Sequence, residues 1–218
     1  MTEKYKVLIV EDQMMPRQLF EDMVNHSDNF ELVAGIDNAD VADIYCAKDS
    51  VDLVLMDVLT KNAANGLEAA KRIKSLYPEI KIIIVTSMPE FSYIEKAKSI
   101  GVEGFWYKDI STDSILSVMN RVIEGENVYP DRTPELILGN ASSYDFTEKE
   151  LEVLREMTGG YTNQEIADKV FMSVGAVKAH ILNMLEKTGF RNRTELAVRA
   201  REIGLVILDR KEPHKVDD

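Results

Sequence analysis

Five polar residues stand directly after apolar runs of the sequence and have the chemistry to handle a phosphoryl group. Glu11 and Asp12 follow the first run, and Asp57, Thr86 and Lys108 each follow one of three later runs. Carboxylate oxygens are ligands that suit Mg²⁺, and a carboxylate beside such an ion can attack a phosphoryl group and keep it as an acyl phosphate. A lysine and a threonine hydroxyl can contact the phosphoryl oxygens. The residue types therefore indicate phosphoryl transfer to Asp57.

The elements that must position these residues alternate along the first 124 residues. Short apolar runs alternate with longer amphipathic stretches, which is typical of strand and helix units around a buried parallel sheet. We predict an α/β doubly wound fold with a five-stranded parallel sheet, and Ser111 as the N-cap of its last helix. The predicted strands are Lys6–Val10, Glu31–Ile36, Asp52–Met56, Lys81–Val85 and Gly104–Tyr107.

In this fold all five polar residues lie at the carboxyl ends of strands. For the strand order 2-1-3-4-5, ligands bind outside these ends, between strands 1 and 3, so Glu11, Asp12 and Asp57 should converge. Their mutual repulsion is unfavourable unless a proton or a cation compensates it, and Mg²⁺ is the natural partner for oxygen ligands. Taken singly, an Asp after a strand is commonly a helix cap and a lysine commonly a solvated charge. The joint placement at four strand ends favours a site.

The remainder of the chain has a helical pattern. The stretch TNQEIADKVFMSVGAVKAHILNML predicts two short helices, from Asn163 to Val170 and from Val174 to Thr188, with Phe171 in the turn and Ser173 as an N-cap. Helices joined in this way form a helix-turn-helix, whose second helix can enter a DNA major groove. We expect a four-helix domain over residues 145–209, a linker over 126–144 rich in Pro and Gly, and a frayed tail over 210–218.

The charge distribution permits DNA binding only in the second domain. The net charge is −12, with 14 basic and 24 acidic residues in 1–141 and 11 of each in 142–211. An acidic surface repels nucleic acid, and most of the acidity lies in the first two-thirds of the chain. The bases of the second part cluster late, so a basic face is possible there.

Cellular location can also be predicted from the sequence. The apolar runs are too short to cross a bilayer and the N-terminus lacks a signal-peptide pattern. The single cysteine, Cys46, fits a reducing compartment and is expected to be a small buried apolar residue. We therefore expect a cytoplasmic protein that has no contact with a membrane.

The segments VLIVED, LVLMD, IIIVTS and GFWYKD resemble the four signature segments of response-regulator receiver domains. The resemblance covers about residues 5 to 125, and we predict a receiver domain over 1–125. The resemblance implies a flavodoxin-like fold and a cognate sensor histidine kinase as partner. It implies that Asp57 is the phosphoacceptor and Lys108 the invariant lysine, with Thr86 and Phe105 as switch residues. The Mg²⁺ ligands that it implies are Glu11, Asp12, Asp57 and the backbone carbonyl of Leu59.

One segment departs from the receiver pattern. After Asp57 the family has a short loop with Met-Pro and Asp-Gly, whereas this chain reads VLTKNAANG, one residue longer and without proline. A longer loop without proline is entropically looser. We therefore expect a looser loop, which bears on loop geometry and metal affinity but not on the assignment of Asp57 as phosphoacceptor.

The segments FTEKELEVL, GGYTNQEIAD, SVGAVKAHI and NRTELAVRA resemble the LuxR-type DNA-binding domain of the NarL/FixJ class of response regulators. This implies promoter DNA as a partner, RNA polymerase as a possible one, and a homodimer when phosphorylated. Ala176 stands where the family has Thr, and Leu182 where it is often basic; Leu182 could touch a thymine methyl group or be additional core. The implied DNA contacts are Thr162, Asn163, Lys178, Ala179, Leu182 and Lys187.

Three other functions compete with this interpretation. A phosphatase-like enzyme would carry a second Asp two residues after the nucleophile, where Leu59 stands, so we expect no enzyme. A phosphorylation-independent pseudo-receiver transcription factor is disfavoured by the intact set of acidic residues, Thr86 and Lys108. A small-molecule-sensing LuxR-type factor would need a different N-terminal domain.

Overall fold

The computed structural model describes residues 4–90, 92–108, 111 and 113–206. They form two compact units: one takes in residues up to 87 and 92–132, the other 88–90 and 133 onward. Among these residues no helix is both long and apolar enough to span a membrane. The predicted tail, 210–218, lies outside the described residues.

The first unit has the predicted α/β fold, with five parallel strands in the order β2-β1-β3-β6-β7. Its strands are β1 (Tyr5–Val10), β2 (Phe30–Ile36), β3 (Leu53–Asp57), the short β4 (Leu59–Thr60) and β5 (Ala64–Asn65), β6 (Lys81–Thr86) and β7 (Gly104–Tyr107). Its helices are α1 (Met14–Asn25), α2 (Ala42–Lys48), α3 (Gly66–Leu76), α4 (Tyr93–Ile100) and α5 (Ile115–Ile123).

Both faces of this sheet are covered. Helices α1 and α5 pack against one face, where Val7, Ile9, Leu55 and Ile83 share a buried cluster with apolar residues of both helices. The alternate residues of the same strands, such as Leu8 and Met56, are also buried. Burial on both sides explains why the strands read as continuous apolar runs rather than as alternating ones.

The last helix of the first unit begins later than predicted. Ser114, not Ser111, is the N-cap of α5: its backbone is extended and its hydroxyl accepts from Ser117 N at 3.2 Å. The Ser111 hydroxyl instead accepts from Tyr107 N at 3.0 Å, at the end of β7. The predicted cap is therefore corrected by three residues.

Part of the predicted linker, 126–144, belongs to the first unit. Val128 pairs alongside β7: Phe105 N donates to Val128 O at 2.9 Å, and Val128 N donates to Glu103 O at 2.8 Å. The Tyr129 hydroxyl donates to Val102 O. Backbone hydrogen bonds of this kind extend the sheet beyond its predicted end.

The rest of that segment belongs to the second unit. Strands β8 (Ile137–Leu138) and β9 (Ala141–Ser142) form a hairpin, and Asn140 N donates to Thr188 O at 3.0 Å. Leu138 and Ala141 lie in the unit's apolar core. The segment 126–144 is therefore not a free linker in the structure, because Val128 is buried in the first unit and Leu138 and Ala141 are buried in the second.

The second unit contains the four predicted helices, α6 (Glu148–Thr158), α7 (Asn163–Lys169), α8 (Val174–Thr188) and α9 (Arg193–Glu202). Thr147 and Thr162 begin α6 and α7 as capping boxes, and the Ser173 hydroxyl accepts from Ala176 N at 3.1 Å at the start of α8. Between α7 and α8 the chain turns at Phe171, whose φ is +54°.

Cys46, in α2, is a free and buried cysteine. Burial raises the pKa of its thiol to about 12. This agrees with its predicted role as a small apolar residue.

Candidate functional site

The three predicted carboxylates meet at one edge of the first unit's sheet. Glu11 follows β1 and Asp57 ends β3, and β1 and β3 are neighbouring strands. One carboxylate oxygen each from Glu11, Asp12 and Asp57 lies within 4.8 Å of the other two. Glu11 and Asp57 are buried and Asp12 is exposed. The arrangement is that of a cation site with one side open to solvent.

Lys108 joins the carboxylates, as predicted. Its ammonium donates to Asp57 Oδ2 at 2.9 Å and to Glu11 Oε2. The lysine is brought there because β7 pairs with β6, and Lys108 N donates to Thr86 O at 3.0 Å directly after both strands end. One ammonium thus serves two buried carboxylates.

The charges of this cluster do not balance. Burial raises the pKa of Asp57 to about 6, against the attraction of Lys108 and with the repulsion of Glu11 added. Burial alone would lower the pKa of Lys108, but its ion pairs with Asp57 and Glu11 raise it. Three carboxylates facing one ammonium leave two negative charges, which a dication with oxygen ligands would neutralise. The residues present therefore fit Mg²⁺.

Thr86 and Phe105 lie on the neighbouring strands. Asp57 pairs with Val85 across β3 and β6, so the buried Thr86 is one residue beyond Asp57 at the same edge. Phe105 pairs with Ile84, and its ring lies buried 5.0 Å from the ring of Tyr107. The ring of Phe105 is therefore part of the buried core, and its role as a switch residue stays a prediction.

The segment after Asp57 is held by hydrogen bonds, contrary to the prediction of a loose loop. Strands β4 and β5 pair antiparallel, Leu59 with Asn65 and Thr60 with Ala64. Gly66 N donates to Val58 O at 2.8 Å, and the Asn65 side chain accepts from Leu67 N at 2.9 Å at the start of α3. Within this segment Asn62 has a positive φ of +62°.

In the second unit, helix α8 exposes one continuous face. Predicted DNA-contact residues Lys178, Ala179 and Leu182 lie on it, together with Asn183. Ala179, Leu182 and Asn183 follow Lys178 by one, four and five residues, and this spacing places all four on one side of a helix. Leu182 is 57% exposed, so the alternative that it is additional core is wrong. The buried side of α8, which includes Val177 and Ile181, faces the core.

Comparisons with known proteins match both units. Residues 7–120 match the family described as response regulator receiver domain, and residues 145–200 the bacterial regulatory proteins of the luxR family. This chain belongs to the LuxR-family response regulators.

Relatives of this response regulator match it over nearly their whole length. The transcriptional regulatory protein LnrK of Bacillus subtilis is 28% identical over 221 residues, covering 93% of this chain and 99% of LnrK. The response regulator protein VraR of Staphylococcus epidermidis is 30% identical over 209 residues, covering 92% of this chain and 98% of VraR.

A solved structure shares the fold of this response regulator. RcsB of Salmonella enterica serovar Typhimurium, bound to the promoter rprA in the presence of the phosphomimetic BeF3−, matches with a TM-score of 0.59. It is 20% identical, over 89% of this chain and 96% of RcsB. At this identity the likeness shows the fold alone.

Two of the predicted phosphate contacts have partners within the response regulator itself. The Lys187 ammonium donates to both carboxylate oxygens of Glu150, at 2.9 and 2.7 Å, and to Asp145 O at 2.8 Å. Asn163 Oδ1 accepts from Arg193 at 2.7 Å, while Thr162 caps α7 and is exposed. A phosphate contact by Lys187 stays a prediction, and it would have to share or displace Glu150.

Two residues that shape the sheet edge around Asp57 were not predicted from the sequence. A Cβ atom on Gly66 would lie 1.9 Å from Asp57 O, so only glycine fits there. Thr60, 4% exposed, accepts from Ala39 N at 2.9 Å. The Asn-Gly pair at 65–66 was a detectable turn signal, whereas the contact of Thr60 spans 21 residues of sequence and left no local pattern.

Proposed function

We propose that this response regulator is a phosphorylation-dependent transcriptional regulator of a two-component system. A sensor histidine kinase supplies the phosphoryl group, Asp57 accepts it, and the modified protein forms a homodimer that binds promoter DNA. The observation that carries the proposal is the convergence of Glu11, Asp12 and Asp57 with Lys108 at one sheet edge.

The chemistry assigned to the receiver is an in-line phosphoryl transfer. An Asp57 carboxylate oxygen attacks phosphorus, the bond from phosphorus to the donor nitrogen breaks, and the donor imidazole takes up a proton from solvent. Val58 N donates to Asp57 Oδ1 at 2.7 Å and fixes the carboxylate's orientation. Lys108, and Thr86 at the end of β6, face the incoming phosphoryl oxygens as charge and hydrogen-bond donor.

Mg²⁺ would be held by Glu11, Asp12, Asp57 and the Leu59 carbonyl, and its charge would neutralise the phosphoryl oxygens. Glu11 is oriented for this task, because its carboxylate also accepts from Gln13 N at 3.0 Å. The phosphatase-like alternative gains no support, since Leu59 offers no second acid near Asp57.

DNA reading is assigned to the exposed face of α8. Lys178, Ala179 and Leu182 would contact bases, with Thr162, Asn163 and Lys187 near phosphates. RcsB, which shares the fold, was solved on promoter DNA in the presence of a phosphomimetic, and this supports DNA binding by a protein of this fold. Dimers match paired half-sites about one helical turn apart. Moving a protein from mostly inactive to mostly active requires about 5.5 kcal/mol of differential stabilisation.

The test is phosphorylation with acetyl phosphate and Mg²⁺, followed by intact-mass, molar-mass and DNA-affinity measurements on the same sample. Wild type and Asp52→Ala, which removes a carboxylate at the opposite sheet edge, should be labelled and dimerise. Asp57→Ala should not be labelled. Stoichiometric labelling of Asp57→Ala would contradict the assignment of Asp57 as phosphoacceptor. A labelled wild type that stays monomeric by molar mass and keeps the same DNA affinity would indicate the phosphorylation-independent alternative.

A further inference from the structure

The hairpin formed by β4 and β5 ties the phosphoacceptor edge to a distant segment of the chain. Its Thr60 hydroxyl accepts from Ala39 N at 2.9 Å and donates to Ala64 O at 3.3 Å. Ala39, in the segment between β2 and α2, is fully buried, and so is nearly all of Thr60. One side chain therefore closes the hairpin and attaches it to the neighbouring segment, away from water.

The pairing within the hairpin leaves the Leu59 carbonyl without a partner on the opposite strand. In antiparallel pairs, hydrogen-bonded and non-hydrogen-bonded positions alternate. Because Gly66 N donates to Val58 O, the next pair, Leu59 with Asn65, is of the non-hydrogen-bonded kind. The Leu59 carbonyl thus points out of the hairpin ladder, and it lies between Asp57 and Thr60 in the chain.

We propose that Thr60 is a positioning residue that holds the Leu59 carbonyl in place for Mg²⁺. The inference rests on the metal site of the proposed function and adds to it the residue that keeps one ligand fixed. Without the hydroxyl, the buried N–H of Ala39 loses its acceptor and the hairpin its closing bond. An unpaired buried donor is unfavourable, so the hairpin is expected to shift and carry Leu59 with it.

The segment has a second attachment that does not depend on Thr60. Lys61 N donates to Asp37 O at 3.0 Å, and the Lys61 ammonium donates to Asp37 Oδ2 at 2.8 Å. The side-chain ion pair is exposed. Exposed ion pairs contribute little, and the backbone bond from Lys61 N holds the chain two residues after Leu59. Thr60 directly follows Leu59, so its buried hydroxyl is the contact expected to determine ligand position.

The experiment is calorimetric titration of the full chain with MgCl₂. Thr60→Val keeps the side-chain shape and removes the hydroxyl, and we expect it to weaken Mg²⁺ binding by about tenfold, the lower end of the effect of ligand-orienting partners. Thr60→Ser should restore the affinity. Asp52→Ala, which removes the hydrogen bond to Lys6 N at the opposite edge, should leave it unchanged.

A second measurement needs no variant. If metal binding and the Thr60 bond are coupled, Mg²⁺ must slow hydrogen exchange of the Ala39 amide in the wild type, because coupling is reciprocal. The role of Thr60 would be overturned, without affecting the metal site, if wild type and Thr60→Val bound Mg²⁺ with equal affinity. It would also be overturned if Mg²⁺ left the exchange rate of the Ala39 amide unchanged. A wild type that does not bind Mg²⁺ would overturn the metal site and this role together.

Discussion

At the level of single residues, Asp57 combines a chemical task with an unfavourable environment. It lies buried beside Glu11, and Lys108 must be shared between the two carboxylates. A carboxylate kept in this position destabilises the protein that carries it whenever it is ionised. Under the proposed function, this loss of folding stability belongs to a site that is arranged to bind a cation and a phosphoryl group.

This loss of folding stability predicts that Asp57→Asn stabilises the metal-free protein. The pKa of Asp57, about 6 against the usual 3.8, means that its contribution to stability is present below about pH 4 and lost as the pH rises through about 6. At pH 7 the amide should raise the free energy of unfolding of the first unit by at most about 3 kcal/mol. Urea unfolding in EDTA from pH 4 to pH 8 measures the effect.

The control is Asp28→Asn, which removes an exposed carboxylate of the same unit and should change little. Mg²⁺ should stabilise the wild type more than Asp57→Asn, because it binds the folded carboxylates. A pH-independent difference, or an Asp57→Asn protein less stable than the wild type in EDTA at pH 7, would show that the cluster is not under electrostatic strain.

The lifetime of the phosphorylated state should also be determined by single residues. Leu59 and Met88, two residues after Asp57 and Thr86, can offer no strong hydrogen bond to an attacking water. We predict that Asp57 phosphate persists for hours, and that Leu59→Asn combined with Met88→Glu shortens its half-life by about tenfold or more, since positioned polar groups speed proton transfer. Decay of purified phosphoprotein, followed by intact mass, decides this; loss within seconds in the wild type would refute it.

At this scale the residues with reactive side chains could be predicted from the sequence, whereas the contacts of the residues that position them could not. Asp57, Glu11, Asp12 and Lys108 could be predicted because each follows an apolar strand, and parallel strands end at one edge. Thr60 and Gly66 could not be assigned their contacts, because these depend on segments that meet only in the folded chain.

At the level of elements, the bounds of helix α8 could be predicted from the periodicity of its apolar residues. Its bounds, Val174 to Thr188, agree with the prediction, because its buried stripe and its Ser173 cap are both local signals. The N-cap of α5 was predicted wrongly, since Ser111 and Ser114 are equally good caps by type. Only the folded chain distinguishes them, because Ser114 accepts from Ser117 N and Ser111 from Tyr107 N.

The exposed face of α8 predicts a particular DNA preference. Leu182 lies one turn after Lys178 and can pack against a thymine methyl group. In a DNA site selected from a random pool, replacing the contacted thymine by uracil removes one methyl group, at about 0.8 kcal/mol or about fourfold in affinity. Fluorescence anisotropy with wild type and Leu182→Ala measures whether this penalty depends on Leu182.

The uracil penalty should disappear in Leu182→Ala and remain in Asn183→Ala, which alters an exposed neighbour on the same helix. If every uracil substitution has the same effect on wild type and Leu182→Ala, Leu182 does not read the methyl group.

At the level of the whole molecule, the first unit extends in sequence to residue 132 and the second continues from residue 133, so that no long linker separates them. A linker over 126–144 was predicted from prolines and glycines, but composition does not show that Val128 pairs with β7 or that Leu138 enters a core. The burial of these residues depends on other segments of the chain that they meet only after folding.

The position of Val128 predicts that a receiver fragment ending at residue 125 is less stable than one ending at residue 132. The shorter fragment leaves Phe105 N and Glu103 O unpaired and removes a buried valine from the core. We expect it to be less stable by about 2 to 4 kcal/mol, from burial and two hydrogen bonds. Urea unfolding and light scattering of both fragments test this; equal stability and solubility would contradict it.

The buried cysteine makes the protein a natural background for site-specific labelling. Only a thiolate reacts with maleimides, and Cys46 is both buried and, with a pKa of about 12, protonated at neutral pH. A cysteine introduced at an exposed position of each unit, such as Lys71 or Gln164, would therefore carry a dye without removal of the native thiol. Fluorescence energy transfer between two such dyes would follow the two units through each cycle of phosphorylation.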